Sequence, residues 1–397
     1  MVSRRTVLAV VAALDAALAV LAVGRLAAGF DALLWGGGRG AVDLLSRHAE
    51  VARFFSGAPL PTVYPPASYV LLWPLLGWLS ASGARFLWAP LMVAALCALA
   101  WLLQRQVADR GTAVRLAVVL SLFTLESVEI TVGNGQLTLF VVPALAAALL
   151  AVLCRPPGWG RDLAAAGLLL AGLVKPSLSV PFFVAVLALP TGAVPAMLAA
   201  GSYAVVTALA LLLGPGARPE LLTGWLHSGT ALAARAGYGN VSLWLAQLGL
   251  QAWILPAAGA ALALLALWVA RHRHADPWLV AAVVAVVARV WVYHHDYDDL
   301  LAVLPMVALL RWSSPSRPGP LPPRLSALLL ALLWIAMVVP GGDGLVPPPW
   351  EDRLMVAKGA VWVGLLAVLL LARRGAPPGA GDAQRTSAAA AGLPRST

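Results

Sequence analysis

The chain has 397 residues, of which 61% are hydrophobic and only 11% are charged, and its formal net charge is +10. Soluble globular domains carry about 25% charged residues, so this composition excludes an ordinary soluble enzyme and predicts a polytopic membrane protein. The positive charge does not indicate nucleic acid as a partner, because the basic residues occur in short loops between apolar runs and not in one stripe.

Apolar runs follow one another along nearly the whole chain. A transmembrane helix needs about 20 apolar residues, so these runs predict an all-α fold with about twelve spans in one domain, 1–373. A tail at 374–397, rich in Ala, Gly, Pro and Arg, is predicted to be disordered and cytoplasmic. The spans are predicted at 6–28, 85–103, 113–131, 137–153, 162–174, 178–190, 193–213, 251–270, 277–292, 299–312, 322–340 and 354–372.

Arginines in the short loops predict the orientation in the cell membrane. Loops such as the one with Arg105 and Arg110 are expected on the cytoplasmic side, together with both termini. All these loops can lie on the cytoplasmic side only if the segment 65–79 does not cross the membrane. This segment is therefore predicted to be re-entrant or interfacial on the outer side. The same parity of the number of spans predicts that 162–190 forms two short helices that meet at Lys175-Pro176. One long span would move every later arginine loop to the outer side.

The first outer loop contains an amphipathic pattern that predicts an interfacial helix over 42–56. Asp43 would open this helix, where the helix dipole stabilises a carboxylate by about 0.3 to 1 kcal/mol. Arg47, Glu50 and Arg53 are predicted to form a solvated or headgroup-facing surface. The apolar face would consist of Leu44, Leu45, Val51, Phe54 and Phe55.

Two further polar features interrupt apolar runs on the same predicted side. GNGQ at 133–136 indicates a tight turn, because Asn-Gly suits positive φ. Glu126 and Glu129 lie on one helical face just before it and indicate either a wet cavity or a charge network. Lys175 either snorkels towards water or points into a cavity where it binds an anionic phosphate.

The segment 291–301, WVYHHDYDDLL, places five ionisable side chains between two apolar segments. Such groups near membrane spans are candidates for function. Three interpretations remain open: a metal site in which His295 joins Asp298 or Asp299, a helix start capped by Asp296 or Asp298, and contacts to a phosphate or sugar.

Taken in order, these motifs resemble glycosyltransferase family 87 over roughly residues 1–372. The resemblance is carried by an Asp in the first outer loop, Tyr64-Pro65-Pro66, GNGQ, Lys175-Pro176 and a HHDYD stretch before a span with Pro305. That family belongs to the GT-C superfamily of integral membrane glycosyltransferases. Its members take a sugar from a polyprenyl-phosphate donor on the outer side of the membrane.

The resemblance implies a GT-C fold and an inverting transfer of a sugar, mannose in the first place, to a lipid-linked glycan acceptor on the outer face. The implied partners are the polyprenyl-phosphate-sugar donor, the acceptor and membrane lipids, and no cofactor is required, although a divalent metal is possible. The alternatives are a non-enzymatic carrier or flippase of a polyprenyl-linked sugar, and the same fold with arabinofuranose or glucose as donor sugar.

The resemblance and the charges also imply residue roles. Asp43 matches the general base that takes the acceptor proton. The sequence departs from the family pattern at Asn240-Val241-Ser242, where Asn-Gln-Ser is common, and at Arg289-Val290, where a Ser-Pro lead-in is usual. Donor phosphate is assigned to Lys175, Arg289, His294 and His295, substrate contacts are assigned to Tyr64, Asn134, Gln136, Asp296 and Asn240, and no metal ligand is assigned.

Overall fold

A computed structural model describes residues 4–37, 40–58, 60, 63–213, 220–233, 238–314, 319–339 and 350–372, and the tail predicted at 374–397 lies outside them. These residues form helices and connecting turns, with no β-strand among them. The α-helices are α1 (Arg4–Trp35), α2 (Val42–Ser56), α3 (Pro66–Leu76), α4 (Ala81–Gln106), α5 (Thr112–Phe123), α6 (Glu126–Asn134), α7 (Thr138–Cys154), α8 (Trp159–Gly172), α9 (Pro176–Leu187), α10 (Ala193–Leu213), α11 (Glu220–Ala233), α12 (Val241–Gln247), α13 (Ile254–Arg271), α14 (Pro277–Val290), α15 (Val303–Trp312), α16 (Pro323–Val338) and α17 (Trp350–Leu371).

Five stretches of helix in the described part of the chain are long and apolar enough to cross a membrane. They are Ala9–Trp35, Ala81–Gln106, Ala193–Leu212, Gln251–Arg271 and Asp352–Leu371. The pair α5 and α6 adds a sixth if it counts as one span, and α3, α7, α9, α14 and α16 are shorter apolar helices. The protein is therefore an all-helical polytopic membrane protein, while the count of about twelve spans stays a prediction.

Several local predictions are confirmed. The amphipathic helix over 42–56 is α2, and 65–79 contains the short helix α3, whose re-entrant or interfacial place in the membrane stays a prediction. The chain breaks between α8 and α9, where Lys175 precedes Pro176 at the start of α9. Proline is favourable in the first turn of a helix but cannot donate a hydrogen bond inside one, which explains the break.

The predicted span 113–131 is not one helix but two, α5 and α6, which are bent by 52°. Ser121 and Thr124 precede the bend, and their hydroxyls donate to the carbonyls of Val118 and Ser121, each at 2.8 Å. Side-chain hydrogen bonds of this type compete with the backbone ladder and bend helices. The bend turns α6 towards the polar centre of the protein.

Helix α14 forms the middle of the fold. All its residues from Leu279 to Val286 are buried, as expected for a helix that is apolar on every side. It packs against α7, α9, α15 and α17. The segment 291–302 follows α14 directly and ends in a 3-10 helix, Asp296–Ala302. The side chains of this segment therefore lie next to the core of the protein.

The start of α2 is fixed against the turn that follows α6. The backbone N–H of Ala41 donates to the carbonyl of Gly133 at 2.8 Å. Gly135 has a φ of +65°, and a Cβ on it would lie 2.6 Å from the Cβ of Leu44. Only glycine fits such a backbone and such a contact. The tight turn predicted for GNGQ is confirmed, and it positions Asp43 beside Gln136.

Candidate functional site

A cavity of about 380 Å³ lies between α2, α9, α11, α13 and the segment 291–298. One wall is polar and contains Asp43, Arg47, Gln136, Lys175, His295 and Asp298. The other wall is apolar and contains Val180, Leu232, Ile254, Leu255, Ala258 and Val292. A cavity with two such walls suits a ligand that has a charged or polar head and an apolar tail.

One face of helix α2 carries two carboxylates with a guanidinium group between them. Asp43, Arg47 and Glu50 are four and three residues apart, which places them on the same side of a helix. Arg47 Nη1 lies 2.6 Å from Glu50 Oε2, and its Cζ lies 4.2 Å from the ring centroid of Tyr64. The hydroxyl of Tyr69 donates to Glu50 at 3.2 Å, so the carboxylate that pairs with Arg47 is itself held in place.

The predicted solvated surface on α2 is wrong for Arg47 and Glu50. Only 13% and 11% of their side chains are exposed, whereas Arg53 is exposed as predicted. Burial raises the pKa of Glu50, and the nearby Arg47 opposes that shift. The two side chains face the protein because α2 lies against α3 and α4 with this edge towards the cavity.

Lys175 lies at the break between α8 and α9, and its ammonium group points inwards. Its Nζ donates to Asp298 Oδ1 at 2.6 Å, to Thr138 Oγ1 at 2.9 Å and to Gln136 Oε1 at 3.5 Å. The ammonium also lies 4.5 Å from the ring centroid of Tyr297. This geometry corresponds to the lysine that points into a cavity and not to one that snorkels.

Asp298 is the centre of this group. Besides Lys175, it accepts a hydrogen bond from Thr138 at 2.9 Å, and its Oδ2 lies 3.1 Å from Nδ1 of His294. Burial opposes ionisation, but Lys175 and His294 outweigh it and hold the pKa of Asp298 well below its usual range. We call Lys175, Asp298 and His294 the cavity cluster.

The two histidines have lowered pKa values. Burial is the main cause for both His294 and His295, and the neighbouring carboxylate of Asp298 opposes it. Both imidazoles are therefore neutral at pH 7. His295, which lines the cavity, can offer one N–H as a hydrogen-bond donor, whereas the N–H of His294 is already directed to Asp298, and neither imidazole adds positive charge to the cavity.

A second group of buried charges lies behind the segment 291–302. Arg289 donates from Nε to Asp299 Oδ1 at 2.5 Å and from Nη1 to the carbonyl of Tyr238 at 3.1 Å. The hydroxyl of Tyr238 donates to the other carboxylate oxygen of Asp299. We call Arg289, Asp299 and Tyr238 the interior cluster, since none of the three lines the cavity.

The two glutamates of α6 have separate partners. Glu126 accepts from Lys358 of α17 at 2.6 Å, and Glu129 accepts from Arg25 of α1 at 2.9 Å. Neither lines the cavity of about 380 Å³. They belong to ion pairs, as one of the two interpretations predicted, and these pairs join α6 to α17 and to α1.

Among the described residues, those predicted for the site divide into two sets. Asp43, Tyr64, Gln136, Lys175 and His295 line the cavity. The others do not. Arg289 and His294 are fully buried behind its wall. Asn240 is also fully buried, and its side chain accepts from the N–H of Leu243 at 2.9 Å as the N-cap of α12.

Asn134 and Asp296 also lie outside the cavity lining. Asn134 is the last residue of α6, one position before the turn at Gly135. Asp296 opens the 3-10 helix and is half-buried. Burial raises its pKa, and the carboxylates of Asp299 and Glu126 add to the shift.

The interpretations of the segment 291–301 can be separated. The 3-10 helix has His295 as its N-cap and not Asp296 or Asp298, although Asp298 accepts from the N–H of His295 at 3.4 Å. Asp298 and Asp299 point to different clusters, which leaves His295 without a pair of carboxylates. No group of three or more His, Cys, Asp or Glu that could hold a metal ion occurs within the described ranges.

Sequence reasoning missed Arg47 as a site residue and named Asp298 only as a possible metal ligand or helix cap. Arg47 lies four residues after Asp43 in the predicted helix over 42–56. This spacing brings side chains together on a helix, so it is the signal that could have identified Arg47.

Asp43 differs from the other carboxylate of the polar wall. It is half-buried, and in the part of the chain that the structure describes it has neither a hydrogen-bond nor an ion-pair partner. Asp298 is already engaged by Lys175, Thr138 and His294. A carboxylate that faces a cavity without a partner can accept a proton from a bound hydroxyl group.

Comparisons with known proteins give one assignment. A family model described as glycosyltransferase family 87 matches residues 62–313. Neither a curated protein nor a solved structure matches the chain significantly. The matched region contains most of the cavity, from Tyr64 to the segment 291–302, while Asp43 and Arg47 precede it.

Proposed function

Because this chain belongs to glycosyltransferase family 87 and is a membrane glycosyltransferase, we propose that the cavity transfers mannose from a polyprenyl-phosphate donor to a lipid-linked glycan acceptor, with inversion. Asp43 is the general base. The observation that carries this proposal is the polar wall, on which Asp43, a carboxylate without a partner among the described residues, shares the cavity with two cations, Arg47 and Lys175.

The chemistry of this transfer needs few groups. The bond between the sugar C1 and the phosphate oxygen breaks, and a bond forms between C1 and the acceptor oxygen. The proton of the acceptor hydroxyl goes to Asp43, and polyprenyl phosphate leaves with the electron pair. The leaving group is already a phosphate anion, so positive charge and N–H donors suffice and no strong general acid is required.

The donor phosphate is expected at the polar wall near Lys175 and His295, both of which line the cavity. Arg289 and His294 were predicted for the same role, but they are fully buried. His294 acts as a positioning residue through Asp298, which lines the cavity, whereas Arg289 pairs with Asp299 in the interior cluster. The apolar wall with Ile254, Leu255 and Ala258 would receive the lipid chain, and 58% of Leu255 is exposed at the surface of α13.

The proposal includes a topology. With about twelve spans and the arginine loops in the cytoplasm, both termini are cytoplasmic and the cavity faces the outer side of the cell membrane. This orientation is supported by the break at Lys175 and by the short helix α3, both of which the parity argument requires.

The test is a transfer assay with membranes that contain the protein and a labelled polyprenyl-phosphate-mannose. Asp43→Asn should lower kcat by about 100- to 10,000-fold, the usual contribution of a general base. Asp31→Asn, which changes an exposed carboxylate of α1, is the matched control. Retained transfer in a folded Asp43→Asn protein would remove Asp43 as the base.

The same assay distinguishes the donor sugars. Donors with mannose, arabinofuranose and glucose are compared at equal concentration, and turnover with mannose should exceed turnover with the other two. A carrier or flippase would instead move the lipid across the bilayer without forming product. The family assignment favours the enzyme over the carrier.

A further inference from the structure

We propose that Arg47 is the residue that binds the phosphate of a lipid-linked substrate in this cavity. The inference rests on the proposed function and extends it. It follows from the hydrogen-bond donors that each buried cation near the cavity has left, and not from sequence position, which predicted Arg47 to face solvent or headgroups.

Lys175 has no donor left for a ligand. An ammonium group has three N–H bonds, and Asp298, Thr138 and Gln136 accept all three. Its charge is also balanced by Asp298 at 2.6 Å. The charge of Lys175 therefore contributes to the electrostatic potential of the polar wall. A phosphate that bound Lys175 directly would have to displace one of the three partners of the ammonium group.

Arg289 is still less accessible. Its side chain is fully buried, it is paired with Asp299 at 2.5 Å, and it does not line the cavity. The neutral histidines His294 and His295 bring no charge. Of the cations predicted to contact the phosphate, none combines a free donor with a position on the cavity wall.

Arg47 combines both. It lines the cavity, and a guanidinium carries five N–H donors in a planar fork that matches phosphate geometry. Within the described residues its one ion pair is with Glu50 and engages Nη1. Glu50 and the ring of Tyr64 fix the orientation of the guanidinium, which leaves its remaining N–H groups for an anion in the cavity.

The position also suits the reaction. Arg47 lies one helical turn after Asp43 on the same face of α2, so a phosphate on Arg47 would have its sugar close to the base. The phosphate could belong to the polyprenyl donor or to a phospholipid-based acceptor. The chemistry that Arg47 recognises is the same in both cases.

The experiment measures binding to the purified full-length protein in detergent by native mass spectrometry, with two probes. Polyprenyl phosphate without a sugar represents the donor, and phosphatidylinositol represents the acceptor. Arg47→Gln should weaken binding of one probe by about 10- to 100-fold, the effect of losing a charge-assisted hydrogen-bond pair. Arg53→Gln, on the exposed side of the same helix, should leave both affinities unchanged.

A second variant separates phosphate binding from folding. Arg47→Gln leaves Glu50 buried without its cation, which destabilises the protein by itself. The double variant Arg47→Gln/Glu50→Gln removes both charges and should show the same loss of affinity. Wild-type affinity for both probes in the double variant would overturn the inference, and so would unchanged binding in Arg47→Gln.

The probe that is lost identifies the source of the phosphate. Weaker polyprenyl phosphate binding assigns Arg47 to the donor, and weaker phosphatidylinositol binding assigns it to the acceptor. Because binding requires no turnover, the two proposals can fail separately. One such outcome is a wild-type protein that transfers no sugar and still binds a phosphate probe, which Arg47→Gln binds more weakly. That result would contradict the proposed reaction and support the role of Arg47.

Discussion

The cavity cluster and the interior cluster each pair an aspartate with a buried cation, but the two pairs face different surroundings. Asp298 and Asp299 are neighbours in the chain, each pairs with a buried cation, and each is at most 4% exposed. Asp298 holds Lys175 at the edge of a cavity. Asp299 holds Arg289 in the packed middle of the protein, together with the hydroxyl of Tyr238.

The difference shows that a buried ion pair has two distinct uses in this fold. In the interior cluster both charges are surrounded by protein, so the pair joins α14 to the 3-10 helix, and Tyr238 connects both to the start of α12. In the cavity cluster one side of the pair faces space that a substrate can enter. The same pair then sets the charge of a binding wall, and changing it should affect turnover more than stability.

The largest effect on stability is expected from Asp299→Asn. The substitution leaves Arg289 fully buried without its carboxylate, and breaking a buried ion pair costs about 3 to 5 kcal/mol of the free energy of unfolding. We expect a clear fall of Tm for the detergent-purified protein, whereas the KM for the donor stays unchanged in the fraction that folds.

Asp352→Asn, at an exposed position of α17, is the control and should melt like the wild type. An unchanged Tm for Asp299→Asn would mean that the interior cluster does not stabilise the fold. A changed KM would mean that the two clusters are not separate in function.

A smaller effect on stability and a larger one on turnover are expected from Asp298→Asn. Asn can still accept from Lys175 and Thr138, and the cavity lets water reach the lysine, so the cost should be about 1 to 3 kcal/mol. The freed ammonium group can move, which disturbs the wall opposite Asp43. We expect kcat to fall by about 10- to 100-fold, measured in the transfer assay.

The contrast between the two asparagine variants is the critical result. If Asp298→Asn and Asp299→Asn lower Tm equally and leave kcat per folded molecule unchanged, the distinction between the two clusters is wrong. If kcat falls for Asp299→Asn as well, the interior cluster positions the cavity wall through the 3-10 helix.

Much of the local structure could be predicted from the sequence. The spacing of apolar residues gave α2 its bounds, and Pro176 marked the break at Lys175. The parity of the arginine loops placed Asp43, Gln136 and Lys175 on one side, and the structure brings these three side chains around one cavity. Each of these inferences uses only local patterns and one rule about topology.

The pairing of charges could not be predicted in the same way. Successive side chains of a helix point about 100° apart, and the sequence does not fix how the segment 291–302 is rotated. Asp298 therefore meets Lys175, which is 123 positions away, while Asp299 meets Arg289 and Tyr238. Arg47 was misjudged for a related reason, because an amphipathic pattern does not show whether a polar edge meets water or a cavity.

The smallest effect is expected from the neighbour of these two aspartates, Asp296, and it depends on pH. Burial raises the pKa of Asp296 from 3.8 to about 7, and the carboxylates of Asp299 and Glu126 add to the shift, while Lys358 and Arg289 oppose it. The folded state therefore holds this proton more tightly than the unfolded chain. The resulting stability is fully present below about pH 4 and is lost as the pH rises through 7.

Asp296→Asn removes this titration, so the variant should melt at a higher temperature than the wild type at pH 8. The gap in Tm should grow between pH 4 and 7 and stay constant above pH 7. Because Asp296 is only partly buried, water screens its charge, and the gap should be smaller than the Tm change in Asp298→Asn.

Asp31→Asn should show no such dependence on pH. A gap that does not vary between pH 4 and 8 would show that folding does not raise the pKa of Asp296, and that neither burial nor the carboxylate of Asp299 acts on it.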